Sequence, residues 1–228
     1  MNIIIILLLI LTLTASSFVR NNSWQTNISI WADVLTKSPQ KSRAHTEFAT
    51  AAYLKGFKEE AKKHYEIALQ LNPDDSMAHV NLAHIFSDYG LIDKALEHYQ
   101  KAISLKTDFA EAHFNISVIY LKLGQIDNSI IHLKEAININ PDYPEAHNNL
   151  GSIYTSLNLL NEAIKHFQIA VRLKPYYLDA RFNLGFAYLS MGKIDEAQRE
   201  LKEVLKIDLN HSLAKQYLDY INSQYITN

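Results

Sequence analysis

Residues Asn149–Pro175, NLGSIYTSLNLLNEAIKHFQIAVRLKP, decide the fold, because their landmarks return elsewhere at multiples of 34 residues. Asn149 shares its phase with Asn81, Asn115 and Asn183. Gly151 is matched by Gly185, and Pro175 by Pro39, Pro73 and Pro141. Gly56, Gly90, Gly124 and Gly192 hold a further phase, where this stretch has Asn158. A fixed period of this length describes stacked copies of one supersecondary unit, and such arrays bind partners rather than catalyse.

Each copy reads as two amphipathic helices. Ala78, Leu82, Ile85 and Phe86 recur at i, i+4, i+7 and i+8, the stripe of a core-facing helix. Gly90 then ends that helix in a left-handed conformation, which Asn158 tolerates next best after glycine. A second stripe follows in Ala95, Leu96, Tyr99, Ala102, Ile103 and Leu105. Small residues at one phase (Ala61, Ala95, Ser129, Ala163, Ala197) alternate with bulky ones at another (Tyr65, Tyr99, Leu133, Phe167, Leu201). That alternation lets helix axes approach to roughly 8–10 Å.

Together with Phe182–Asp208, FNLGFAYLSMGKIDEAQRELKEVLKID, these positions resemble the tetratricopeptide repeat consensus. The resemblance implies an all-α chain, a right-handed α-solenoid of helix-turn-helix repeats. Five complete units fit at 42–75, 76–109, 110–143, 144–177 and 178–211. Residues 212–228 resemble the capping helix of such arrays, with Lys215, Gln216 and Asp219 on its outer side. Upstream, within a junction at 20–41, Trp31, Val34 and Pro39 fall in phase with a second helix, giving a half-repeat from about Ile28 to Gln40.

The first 19 residues differ in kind. Asn2–Val19 carries no charge and opens on an aliphatic run from Ile3 to Leu11. It reaches the short end of a membrane span, about 17 residues. A cleaved signal segment is the rival, with Ala15, Ser16 and Ser17 near a cleavage point, although no Lys or Arg precedes the apolar run. Either way, residues 1–19 are expected to direct the chain to a membrane.

Composition narrows the partners. A net charge of −2 argues against a phosphate-backbone ligand, so no nucleic acid is expected. The chain has no cysteine, which removes disulfides, zinc–thiolate sites and a thiol nucleophile. No phosphate-loop, dinucleotide, nucleophile-elbow or zinc-protease motif occurs, and every helix is committed to the array. No enzymatic activity and no cofactor are therefore expected of this chain.

The asparagine ladder is the candidate site. Asn81, Asn115, Asn149 and Asn183 lie on first helices, one residue before the core positions Leu82, Ile116, Leu150 and Leu184. In the family that helix lines the concave surface. A primary amide can bond both N–H and C=O of an extended backbone, so the ladder forms a track for a protein or peptide partner. Val80, His84, Phe114, Val118, Phe182 and Phe186 are expected on the same groove, as pockets for alternate side chains. The competing reading makes the asparagines internal mortar of the array, and the two stay open here. Glu47 and Tyr217 hold the ladder position at the two ends.

Eight histidines form two further ladders: His45, His79, His113 and His147, and His64, His98, His132 and His166. Rungs of one ladder lie about one helix spacing apart, roughly 10 Å. A metal held at about 2.0–2.1 Å cannot bridge them, so metal binding is not expected. Asn21, Asn27 and Asn115 open Asn-x-Ser sequons, of which Asn115 falls mid-helix.

The run from Phe18 to His45 resembles the junction where multi-spanning protein O-mannosyltransferase-like membrane proteins pass into C-terminal repeats. Arg20, Asn21, Trp24, Ile30, Trp31, Asp33 and Lys37-Ser38-Pro39 carry that likeness. It implies an alternative role, presenting an acceptor polypeptide to a catalytic half missing from this chain. The two readings disagree on sidedness. Arg20, Lys37, Lys41 and Arg43 follow the apolar segment, which argues for cytoplasmic repeats. The resemblance places them in lumen or periplasm, and that extracytoplasmic location is the expectation adopted.

Overall fold

The computed structural model describes residues 27–225, which contain twelve helices and no strand. They divide between Thr107 and Asp108 into two compact units. The first holds α1 (Asn27–Lys37), α2 (Ser42–Leu54), α3 (Lys58–Leu71), α4 (Ser76–Asp88) and α5 (Ile92–Leu105). The second holds α6 (Ala110–Lys122), α7 (Ile126–Ile139), α8 (Pro144–Ser156), α9 (Leu160–Leu173), α10 (Leu178–Ser190), α11 (Ile194–Ile207) and α12 (Ser212–Tyr225). The apolar segment at 1–19 and the junction residues Arg20, Asn21 and Trp24 lie outside the described residues. No described helix is long and apolar enough to cross a membrane.

Helices α2/α3, α4/α5, α6/α7, α8/α9 and α10/α11 form five antiparallel pairs, with α1 packed on α2 and α12 on α11. First helices of neighbouring pairs also touch directly, α2 with α4 and α8 with α10. Turn chemistry separates the two helices of each pair. Gly90 sits at φ 72°, and the Leu91 N–H closes the turn on the Phe86 carbonyl at 2.8 Å. Asn158 takes the same place at φ 58°, with the Leu159 N–H on the Tyr154 carbonyl at 2.8 Å. Second helices end two residues before Pro73, Pro141 and Pro175, and α5 ends at the same phase before Thr107. The termination is therefore set by packing as much as by proline. Pro144, which lies off the repeat phase, occupies the first turn of α8, where its missing N–H costs no helical bond.

The core follows the small-and-large alternation. Ala61, Ala95, Ser129, Ala163 and Ala197 have no exposed surface, and the facing Tyr65, Tyr99, Leu133, Phe167 and Leu201 are at most 1% exposed. Ser129 keeps its hydroxyl at an alanine position by donating to the Ser117 carbonyl at 2.9 Å. The first helix of the 144–177 pair comes so close that a methyl at Gly151 would meet the Phe167 ring at 2.7 Å.

Candidate peptide-binding groove

Asn81, on α4, turns inward. Its amide donates to the Thr50 hydroxyl at 3.4 Å, and Thr50 in turn bonds the Tyr65 hydroxyl at 2.9 Å. Burial pushes the Tyr65 hydroxyl up to about 12, so it stays protonated within this network. Asn183, on α10, repeats the arrangement. Its amide donates to Asn148 Oδ1 at 3.0 Å and to the Ser152 hydroxyl at 3.4 Å. In both cases the acceptor hydroxyl stands 31 residues earlier.

Asn149 breaks this pattern. The residue 31 positions before it is Val118, which offers no hydroxyl. Asn149 is half-buried and forms no side-chain hydrogen bond within the described residues. Its donors and acceptor are uncommitted, whereas both N–H groups of Asn183 are spent and only its carbonyl remains. Asn115 is half-buried and engaged in an interaction of its own. The ladder is thus not uniform: part mortar, part free amide.

The second unit carries a cleft of about 300 Å³ lined by Ser152, Thr155, Phe167, Phe182, Asn183, Phe186, Leu213 and Tyr217. Phe182 and Phe186 approach the Tyr217 ring with centroids at 6.1 and 5.6 Å, and Phe182 also packs on His211 at 4.9 Å. Its walls are aromatic, and its polar points are the Ser152, Thr155 and Tyr217 hydroxyls and the Asn183 amide.

The other expected groove residues distribute differently. Val80 is fully buried and belongs to the core, a correction to its groove assignment. Helical spacing alone could not place it. His84 packs edge-on against Tyr99 at 5.6 Å, and Phe114 lies against Tyr143 at 5.0 Å, so both rings are partly consumed by packing. Val118 stays half-buried. Residues 80, 81 and 84 fall in the first compact unit, and 114, 115, 118, 149, 182, 183 and 186 in the second. Ser152, Thr155, Leu213 and Tyr217 were not singled out as wall residues. Tyr217 could have been, since it holds the ladder phase.

The histidines pair across the two ladders rather than along either. His45 and His64, His79 and His98, His113 and His132, and His147 and His166 face each other through Nδ1 atoms 2.8–3.0 Å apart. Comparing rungs of one ladder missed this, although the constant 19-residue offset was visible. Ring centroids of 5.0–5.2 Å set the two nitrogens nearly on the line joining the rings. That is an N–H···N hydrogen bond. A shared metal at about 2.0–2.1 Å needs lone pairs converging off that line. In three pairs the first-helix histidine also reaches a proline carbonyl through Nε2 at 3.0 Å: Pro39, Pro73 and Pro141. The fifth unit puts Arg181 and Glu200 in the same two places. Arg181 donates to the Pro175 carbonyl at 2.6 Å and to Glu200 at 2.7 Å.

These features agree with what the chain is similar to. Models of the tetratricopeptide repeat family match residues 88–124, 118–158 and 151–192, and a second such model matches 178–211. Together they span more than half of the chain, which therefore belongs to the tetratricopeptide repeat family. The matched residues do not include the 18–45 junction. Among solved structures, YrrB, described as a TPR protein with an unusual peptide-binding site, is 20% identical with a TM-score of 0.66, over 83% of this chain and 97% of that one. MamA is 26% identical with a TM-score of 0.62, over 72% and 96%. TTC0263 of Thermus thermophilus, a thermophilic TPR protein, is 24% identical with a TM-score of 0.57, over 79% and 98%. No functionally curated protein matches. The repeat array is a protein–protein interaction scaffold of a generally non-enzymatic kind.

Proposed function

We propose that the chain is a membrane-tethered scaffold that holds an extended peptide along the first helices of the 108–225 unit. One apolar side chain of the peptide enters the cleft between Phe182, Phe186 and Tyr217, and Asn149 bonds its backbone. The observation that carries this reading is the conjunction of an aromatic-walled cleft with an amide left without an internal partner on the same unit. Peptide grooves in general pair apolar pockets for side chains with polar groups for the main chain.

Selection from a random peptide library against the purified full chain is the direct test. Bound sequences should share an aromatic or branched aliphatic anchor. Phe186→Glu should weaken their binding at least about tenfold, because it places a carboxylate where the anchor must be desolvated. Selected peptides that bind Phe186→Glu as tightly as the parent chain would remove the cleft from the proposal.

Tethering rests on the uncharged stretch 2–19 and is tested by carbonate extraction of membranes. Recovery of the intact chain in the soluble fraction would end it. An extracytoplasmic array is part of the same reading. The chain lacks cysteine, so a single Tyr176→Cys at an exposed position gives a unique label. A membrane-impermeant maleimide should reach it in intact cells; labelling only after lysis would place the repeats inside.

A further inference from the structure

In three of the histidine pairs the proton inventory is fixed by geometry. A carbonyl only accepts, so the Nε2 facing Pro39, Pro73 or Pro141 carries a hydrogen. The neutral first-helix ring then presents a bare Nδ1, and the second-helix ring must donate to it from its own Nδ1. The second-helix Nε2 is left bare. A first added proton can settle on that nitrogen without disturbing the link. A second would have to occupy the first-helix Nδ1, opposite an N–H only 2.8–2.9 Å away. Two donors cannot share that gap.

We propose that the four pairs are acid-sensitive latches between first and second helices, so that acidification loosens the units spanning 42–177 while Arg181 and Glu200 keep the 178–211 unit closed. The fifth unit shows what a proton-independent version looks like. A guanidinium carries fixed charge at any relevant pH, and its donors satisfy both the proline carbonyl and the second helix.

The surroundings favour neutral rings. His45, His79 and His147 are buried. Each second-helix ring lies under an aromatic side chain, Phe48, Phe86, Tyr120 or Tyr154, with centroids 4.4–5.6 Å apart. Charges on both helices act in opposite senses. Glu60 favours and Lys63 opposes a cation at His64; Glu97 and Glu66 favour and Lys94 opposes one at His98. Glu135 favours charge at His113 and His132. Asp142 favours and Arg172 opposes it at His147; Glu162 favours it at His166 against Lys134 and Lys165. Burial outweighs them all, and holds His64, His98, His113, His132 and His147 below the ordinary histidine range and His166 down to about 4. The unfolded chain takes up protons near the ordinary value of about 6.5, and the folded chain does not. Stability is therefore full above about pH 6.5 and falls as pH drops from there toward about 4.

The test uses the full chain and its own fifth-unit solution. Thermal midpoints are measured from about pH 7.5 to about 5 for the parent, for His147→Arg with His166→Glu, and for the same exchange in all four pairs. The parent midpoint should fall by at least about 5 °C. The single exchange should remove at least about a quarter of that fall, one pair of four, and the fourfold exchange most of it. Equal falls in all three would overturn the proposal. Nitrogen-15 spectra of the parent imidazoles provide a second measurement that needs no variant. At neutral pH, His45, His79 and His147 should be Nε2–H tautomers and His64, His98 and His166 Nδ1–H tautomers. Identical tautomers within a pair, or His166 titrating at the ordinary histidine value, would overturn the proposal, and these spectra alone decide if an exchanged chain fails to fold.

Discussion

Asn149 and Asn183 occupy the same phase of the repeat, yet replacing them with alanine should have opposite consequences. Asn183→Ala removes two internal bonds, at 3.0 and 3.4 Å, and strands the buried Asn148 oxygen. Each neutral bond is worth about 0.5–1.5 kcal/mol net, the longer one at the low end. Alanine returns up to about 0.7 kcal/mol of helix propensity. The net loss is about 1–2 kcal/mol, a fall in melting temperature of about 2–8 °C for a chain of this size. Asn149→Ala breaks no internal bond, so only the propensity gain remains and the midpoint should hold or rise slightly. Binding should show the reverse emphasis. Each backbone bond lost from Asn149 weakens a selected peptide about two- to twelvefold. Calorimetric melting and isothermal titration on both variants supply the assay. If Asn149→Ala melts as early as Asn183→Ala while its affinity for the peptide is unchanged, the free-amide argument fails and the ladder is mortar throughout.

Two further outcomes follow from packing and turns. Gly151→Ala should destabilise by about 1–2 kcal/mol despite its better propensity, because the new methyl meets the buried Phe167 ring; adding Phe167→Leu should recover part of this, with a coupling of about 0.5 kcal/mol or more by double-mutant cycle. Additive losses would mean that the ring yields freely. At the left-handed turn, Asn158→Val should cost about 1–2 kcal/mol by chemical denaturation while Asn158→Gly costs nothing; equal stabilities would deny that backbone conformation a role.

The helical pairs were legible because turn residues and small-large alternation act within one unit and repeat five times. Gly90 and Asn158 announce their turns without reference to anything distant. The site was less legible because it depends on which side chain a neighbouring copy presents. Asn81 and Asn149 are the same letter in the same phase, and only Thr50 against Val118, 31 residues away, separates a bonded amide from a free one. Val80 illustrates the limit of angular reasoning: spacing along one helix puts it on the groove, yet it is fully buried. The histidine pairs needed a relation between ladders, whereas periodicity draws the eye along them.

The last described helix repeats the burial pattern of a first helix. Ala214, Leu218 and Ile221 of α12 stand 34 residues after Ala180, Leu184 and Ala187 and are buried like them, while Lys215, Gln216 and Asp219 face outward. To α11, α12 is simply the next first helix. The packing of α12 on α11 therefore repeats that of α10 on α9. Each further unit of such an array would lay down one more ladder position, and the residue 31 places back would decide whether that position is sealed or open.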